Sequence, residues 1–199
     1  SRYADKTEYY AAAMKYFLIF TLLAFLCVVG WMPVLQYIIG EDYREGLGVV
    51  PIVMAAEIMM GVYFNLSFWY KLIDKTIYGA WFSLAGCLVL FAVNILMIPK
   101  YGYWACAWGG VAGYGTAMVL SYFVGQKKNP IPYPLKSIAF YVGMTIIYTV
   151  LMYTLTSTLP TWAQLLANTI LIIGFLAFVV KYDLPLSSLP IIGRYFRKK

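Results

Sequence analysis

The sequence predicts an all-α, polytopic membrane protein with six transmembrane helices, and three observations carry that prediction. Hydrophobic residues are 63% of the 199-residue chain and charged residues 12%, about half the ~25% charged fraction of soluble domains. Six apolar stretches of 18–24 residues follow one another. At about 1.5 Å per helical residue each can cross a hydrocarbon core of about 30 Å. The only charged residue inside all six is Glu57. Because a backbone in lipid must satisfy its own hydrogen bonds, every stretch is expected to be a helix.

The chain opens on a polar lead-in, Ser1-Arg2-Tyr3-Ala4-Asp5-Lys6, without an initiator Met or a signal peptide, and reads as a segment of something longer. Span one covers 16–39 and ends at the acidic loop Gly40-Glu41-Asp42-Tyr43-Arg44-Glu45-Gly46. Span two, 49–70, sets Glu57, Gly61 and Asn65 on one face at four-residue spacing. An ionised carboxylate facing lipid costs about 2.5–3.5 kcal/mol on insertion scales, so Glu57 is expected to face the bundle interior or water. It could take up a proton or cation or contact a polar substrate; equally, it could be protonated and bonded to a neighbouring helix. Asn65 suits interhelical bonding or a cavity wall.

A tight turn at 71–76 leads to span three, 77–98, where Ser83, Cys87 and Asn94 share a face. The turn Pro99-Lys100-Tyr101-Gly102 leads to span four, 103–124, in which Ala105, Gly109, Gly113 and Ala117 form a stripe of small residues. Such a stripe lets another helix approach closely, or serves as a hinge. Leu at 113 is expected to force that neighbour away, whereas Ala should be tolerated. The proline-rich loop QKKNPIPYP, 126–134, precedes span five, 138–155, with Tyr141, Thr145, Tyr148 and Met152 on one face. Span six is 162–180. Short connections predict that sequence neighbours pack side by side. Residues 1–182 thus form one transmembrane lobe. The remainder, 183–199, reads as a basic amphipathic tail with Leu186, Leu189, Ile192 and Phe196 beside Arg194, Arg197, Lys198 and Lys199. Cys27, Cys87 and Cys106 lie inside spans without metal-ligand spacing and are expected to be small buried hydrophobes.

The net charge of +7 is topological rather than a nucleic-acid footprint. Arg2, Lys6, Lys15, Lys71, Lys75, Lys127, Lys128, Lys136, Lys181, Arg194, Arg197, Lys198 and Lys199 fall on one side of the six-span arrangement; only Arg44 and Lys100 fall on the other. The positive-inside rule then places both termini in the cytoplasm and anionic membrane lipid beside the basic loops. Enzyme chemistry has little to stand on. There is no His, no pair of carboxylates at membrane depth, and no glycine-rich phosphate loop after a strand. No catalytic residue, metal site or cofactor is expected.

The run 94–133, NILMIPKYGYWACAWGGVAGYGTAMVLSYFVGQKKNPIPY, resembles the carboxyl half of bacterial polysaccharide flippases, members of the multidrug/oligosaccharidyl-lipid/polysaccharide exporter superfamily. The matching elements are Asn94, Ile98-Pro99, Tyr101-Gly102, the small stripe, Tyr122, and Lys127-Lys128 followed by Pro130-Ile131-Pro132-Tyr133. Gly40-Glu41-Asp42-Tyr43 and Asp74-Lys75-Thr76 resemble loops of the same family. Trp104 and Trp108 depart from its pattern. The resemblance implies one six-helix lobe of a two-lobe transporter in the bacterial inner membrane, partnered by the missing amino-terminal lobe. It implies movement of an undecaprenyl-diphosphate-linked glycan, coupled to a cation such as Na+ or H+. Candidate cavity residues are Glu57, Asn65, Asn94 and Tyr148; basic candidates at the inner mouth are Lys15 and Lys71. The alternatives are a cation-coupled multidrug or small-molecule exporter of the same superfamily, and a membrane scaffold that transports nothing.

Overall fold

A computed structural model describes residues 2–183. The tail expected over 183–199 therefore lies outside the described residues, apart from Asp183. The helices are α1 (Arg2–Leu35), α2 (Val50–Leu66), α3 (Phe68–Leu72), α4 (Ile77–Tyr101), α5 (Tyr103–Lys128), α6 (Leu135–Thr158) and α7 (Thr161–Tyr182). Two 3-10 segments, Gln36–Ile38 and Glu41–Val49, join α1 to α2. Among the described residues there is no strand.

The protein is an all-α polytopic membrane bundle. Its outer surface shows why: along α4, Ile77, Trp81, Leu84, Leu88, Phe91 and Ile95 form a continuous exposed row, Leu88 at 62% and Ile95 at 71%. A soluble monomer rarely shows an apolar patch beyond a few hundred Å². Five segments are long and apolar enough to span: Lys6–Ile38, Glu41–Leu72, Ile77–Tyr101, Leu135–Thr158 and Thr161–Tyr182. Six were expected. The one that falls short is α5, whose 26 residues are long enough but rich in Gly, Tyr and Trp, which lower its hydropathy.

The polar lead-in is helical. From Arg2 onward it is the first turn of α1, and beyond it Ala11 and Met14 are buried and Tyr10 stacks on Phe68 with ring centroids 4.5 Å apart. The bundle has two parts. In one, α5 lies between α2 and α4; in the other, α1 packs on α6 and α7; the seam between them is α1 against α2. One apolar core surrounds Leu22, Leu26, Tyr141, Met152 and Phe175, and a second surrounds Tyr63, Trp69, Phe82 and Ala117. The expectation that sequence neighbours pack side by side fails at α2 and α4, which α5 separates, and at α5 and α6. The loop between these last two carries the chain from one part of the bundle to the other, and α6 packs on α1 and α7 instead.

The opposite holds for α4 and α5, which Gly102 alone connects. Its φ of 56° and ψ of −135° lie where a side chain is strained, so glycine makes this one-residue reversal possible. The cysteines correct another expectation: Cys27, Cys87 and Cys106 are exposed on the outside of the bundle. There a polarisable thiol behaves as a small apolar group against lipid.

Candidate functional site

Glu57 lies mid-way along α2, in neither core. The α2 residues Ala56 and Met59 meet α5 at Gly110 and Gly115, and Met54, Ile58 and Val62 pack towards α1. The remaining face carries Val53, Glu57 and Phe64, all exposed. Glu57 makes no hydrogen bond or ion pair with another described residue. A bare carboxylate thus stands on an apolar, uncovered face, one turn from Gly61. A Cβ at Gly61 would press on the tip of the half-buried Phe17 ring of α1, which would have to turn aside.

The other cavity candidates do not converge on Glu57. Asn65 is half-buried and donates to the Gly61 carbonyl of its own helix at 3.0 Å. Tyr148 is half-buried against α7, its ring 6.4 Å from that of Phe175. Its neighbours Tyr141, Thr145 and Met152 are buried, so this face of α6 belongs to a core. Asn94 belongs to the α4–α5 seam, where its buried Oδ1 has no hydrogen-bond partner among the described residues and occupies the space a Gly109 side chain would need.

The small stripe is wholly enclosed. Ala105, Gly109, Gly113 and Ala117 are buried, and the row continues through Ser121 and Gly125. Gly113 meets Gly86 of α4 backbone to backbone: a Cβ on either would lie within 2.8 Å of the other's carbonyl oxygen. At the far end of the row, Gly125 lies against the Trp69 indole, and Trp69 Nε1 donates to Ser121 Oγ at 3.2 Å.

At the end of the bundle where α1 and α7 carry the chain's two ends, Lys15 and Lys71 differ. Lys15 forms an ion pair with Asp183, whose second carboxylate oxygen accepts from Tyr141. Tyr16 donates to the Asp183 carbonyl at 3.2 Å. One carboxylate therefore ties α1, α6 and α7 together. Lys71 is exposed, its ammonium 5.5 Å from the Phe68 ring centroid. Two polar residues missed from the sequence are buried in α7. Gln164 donates to Thr156 at 2.6 Å, and Asn168, 1% exposed, donates to the Gly30 carbonyl of α1 at 2.9 Å. Their signal was available: two amides one turn apart in an apolar helix belong at a helix–helix contact.

Among the described residues no group of His, Cys, Asp or Glu side chains could hold a metal ion. Comparison of the chain with family models, curated proteins and solved structures finds no match.

Proposed function

We propose that this chain forms one lobe of a membrane transporter, a lipid-linked oligosaccharide flippase that moves an undecaprenyl-diphosphate-linked glycan from the inner to the outer leaflet of the bacterial inner membrane. The observation that carries the transporter reading is Glu57, an unpaired carboxylate at mid-helix on an uncovered face of α2. Lipid is a poor neighbour for it. Water and a second lobe closing over this face are good ones, and a carboxylate on an aqueous path can take up H+ or Na+. The glycan substrate rests on the flippase-like run 94–133. The same carboxylate would serve a cation-coupled exporter of small molecules, so the test has to read substrate as well as activity.

In cells lacking the gene, undecaprenyl-linked oligosaccharide is expected to accumulate in the inner leaflet, and the intact gene restores export. Glu57→Gln keeps the size and much of the hydrogen bonding but cannot ionise. It is expected to cut export at least tenfold at normal protein level. Export at the parental rate across pH 6 to 8 would make Glu57 structural. Absence of lipid-linked oligosaccharide accumulation in the null strain would reject the flippase and leave the exporter.

A further inference from the structure

The end of the bundle opposite the Lys15–Asp183 pair holds a cavity of about 480 Å³. The last turns of α1 and α6, the first turn of α7 and the two 3-10 segments wall it. Its volume falls within the ~300–1,000 Å³ of sites that take a small molecule. The wall is mixed. Val29 and Met152, both buried, give it an apolar side, while Arg44, Gln36 and Gln164 bring polar surface to the same space.

Two of these polar groups have binding capacity left over. Gln164 is 5% exposed and spends one amide proton on Thr156 at 2.6 Å. Its carbonyl oxygen has no partner among the described residues, and buried amides seldom go half-used. Arg44 is held in place: its Nε donates to the Gln36 carbonyl at 3.1 Å, and the guanidinium lies 5.3 Å from the Tyr37 ring centroid. Its remaining partner is Glu41, whose 86%-exposed carboxylate stands 3.6 Å from Nη1. That is too long for a hydrogen bond, and exposed ion pairs are worth little. The outer prongs of the guanidinium are therefore open to a better acceptor. Among the described residues no carboxylate lines the cavity. Tyr153 adds an exposed aromatic ring to the wall.

We propose that this cavity binds an acidic sugar, a pyranose that carries a carboxylate. The carboxylate meets the Arg44 guanidinium, where charge-assisted N–H···O bonds are strong. The ring hydroxyls, each donor and acceptor at once, match the Gln164 amide, which offers both roles. The C–H face of the ring rests on Tyr153 and the apolar side of the wall. A fatty acid would satisfy Arg44 but leave the amide unmet, and an inorganic anion would leave most of the volume empty. The site is separate from Glu57 and does not depend on the flippase reading.

The test is a saturation-transfer NMR titration of the full chain in detergent, with glucuronate and with glucose. Glucuronate is expected to bind at least tenfold tighter. Arg44→Gln should erase that preference, weakening glucuronate by about tenfold or more, the worth of a hydrogen bond to a charged group, and leaving glucose unchanged. Tyr153→Ala should weaken both sugars alike. Binding of neither sugar, equal binding of the two, or a glucuronate affinity unmoved by either variant would each overturn the proposal. So would an equal loss of both sugars in Arg44→Gln, because Arg44 would then only hold its loop. Tighter, Arg44-dependent binding of phosphatidylglycerol would assign the cavity to a lipid headgroup instead. Every outcome is read on the purified chain, apart from whether null cells accumulate lipid-linked oligosaccharide.

Discussion

Gly113→Ala, a single added methyl group, is expected to destabilise the bundle measurably, and Gly113→Leu to leave little of it folded in detergent. The sequence alone suggested that alanine would be tolerated at this stripe. The geometry reverses that. A Cβ at 113 would lie 2.8 Å from the Gly86 carbonyl oxygen and 2.8 Å from Leu90 Cβ. Neither is the far end of a flexible side chain, so α4 as a whole has to retreat. Overpacking of this kind costs about 1–3 kcal/mol, and Leu should exceed it. At about 2–4 °C per kcal/mol for a chain of this size, the alanine variant should melt several degrees lower. Gly143→Ala is the control: a Cβ there meets nothing within 4 Å, and alanine is the better helix former. It should melt at or above the parent. If Gly113→Ala does the same, the α4–α5 contact is looser than described and the packing argument fails.

Asp183→Ala is the second large effect expected. It removes the acceptor shared by Lys15 and Tyr141 and frees the end of α7 from α1 and α6. Breaking a fully buried ion pair costs about 3–5 kcal/mol by stranding the remaining charge. Here the two side chains keep 20% and 14% of their exposure, so about 1–3 kcal/mol is the expectation. The double variant Lys15→Met/Asp183→Leu strands no charge and should recover most of the loss. Thermal unfolding of the single and double variants measures this. A neutral Asp183→Ala, or a double variant no better than the single, would show that the contact does not hold these helices together.

How far the fold was legible follows from the solvent. Lipid leaves a spanning backbone few alternatives, so the six apolar stretches are helical, although span one ends in a 3-10 turn and span two is interrupted at Ser67 between α2 and α3. Which helices touch was less legible. The short 129–134 loop suggested that α5 and α6 pack together, but proximity in sequence gives no hint that the chain crosses the seam there. The Lys15–Asp183 contact spans 168 residues of sequence; each partner by itself reads as an ordinary interfacial charge. Asn168 and Gln164 were overlooked because a single amide barely alters the hydropathy of a long apolar helix. The small stripe was the most readable part of the interior, since glycine at four-residue spacing has a direct packing meaning. Even there, only the structure shows Gly86 on the other side, which makes alanine costly as well as leucine.

The weak hydropathy of α5, together with its one-residue link to α4, bears on how the chain enters the bilayer during synthesis. Presented alone to the insertion machinery, α5 offers bare glycine backbone to lipid and gains little from leaving water. Once folded onto α4, that backbone is already covered. The unit that partitions should then be the α4–α5 hairpin. A reporter glycosylation site placed after Lys128 can follow it: α5 by itself should slip through to the far side, whereas α5 preceded by α4 should stop in the membrane. Stable arrest of the isolated helix would show that it needs no escort.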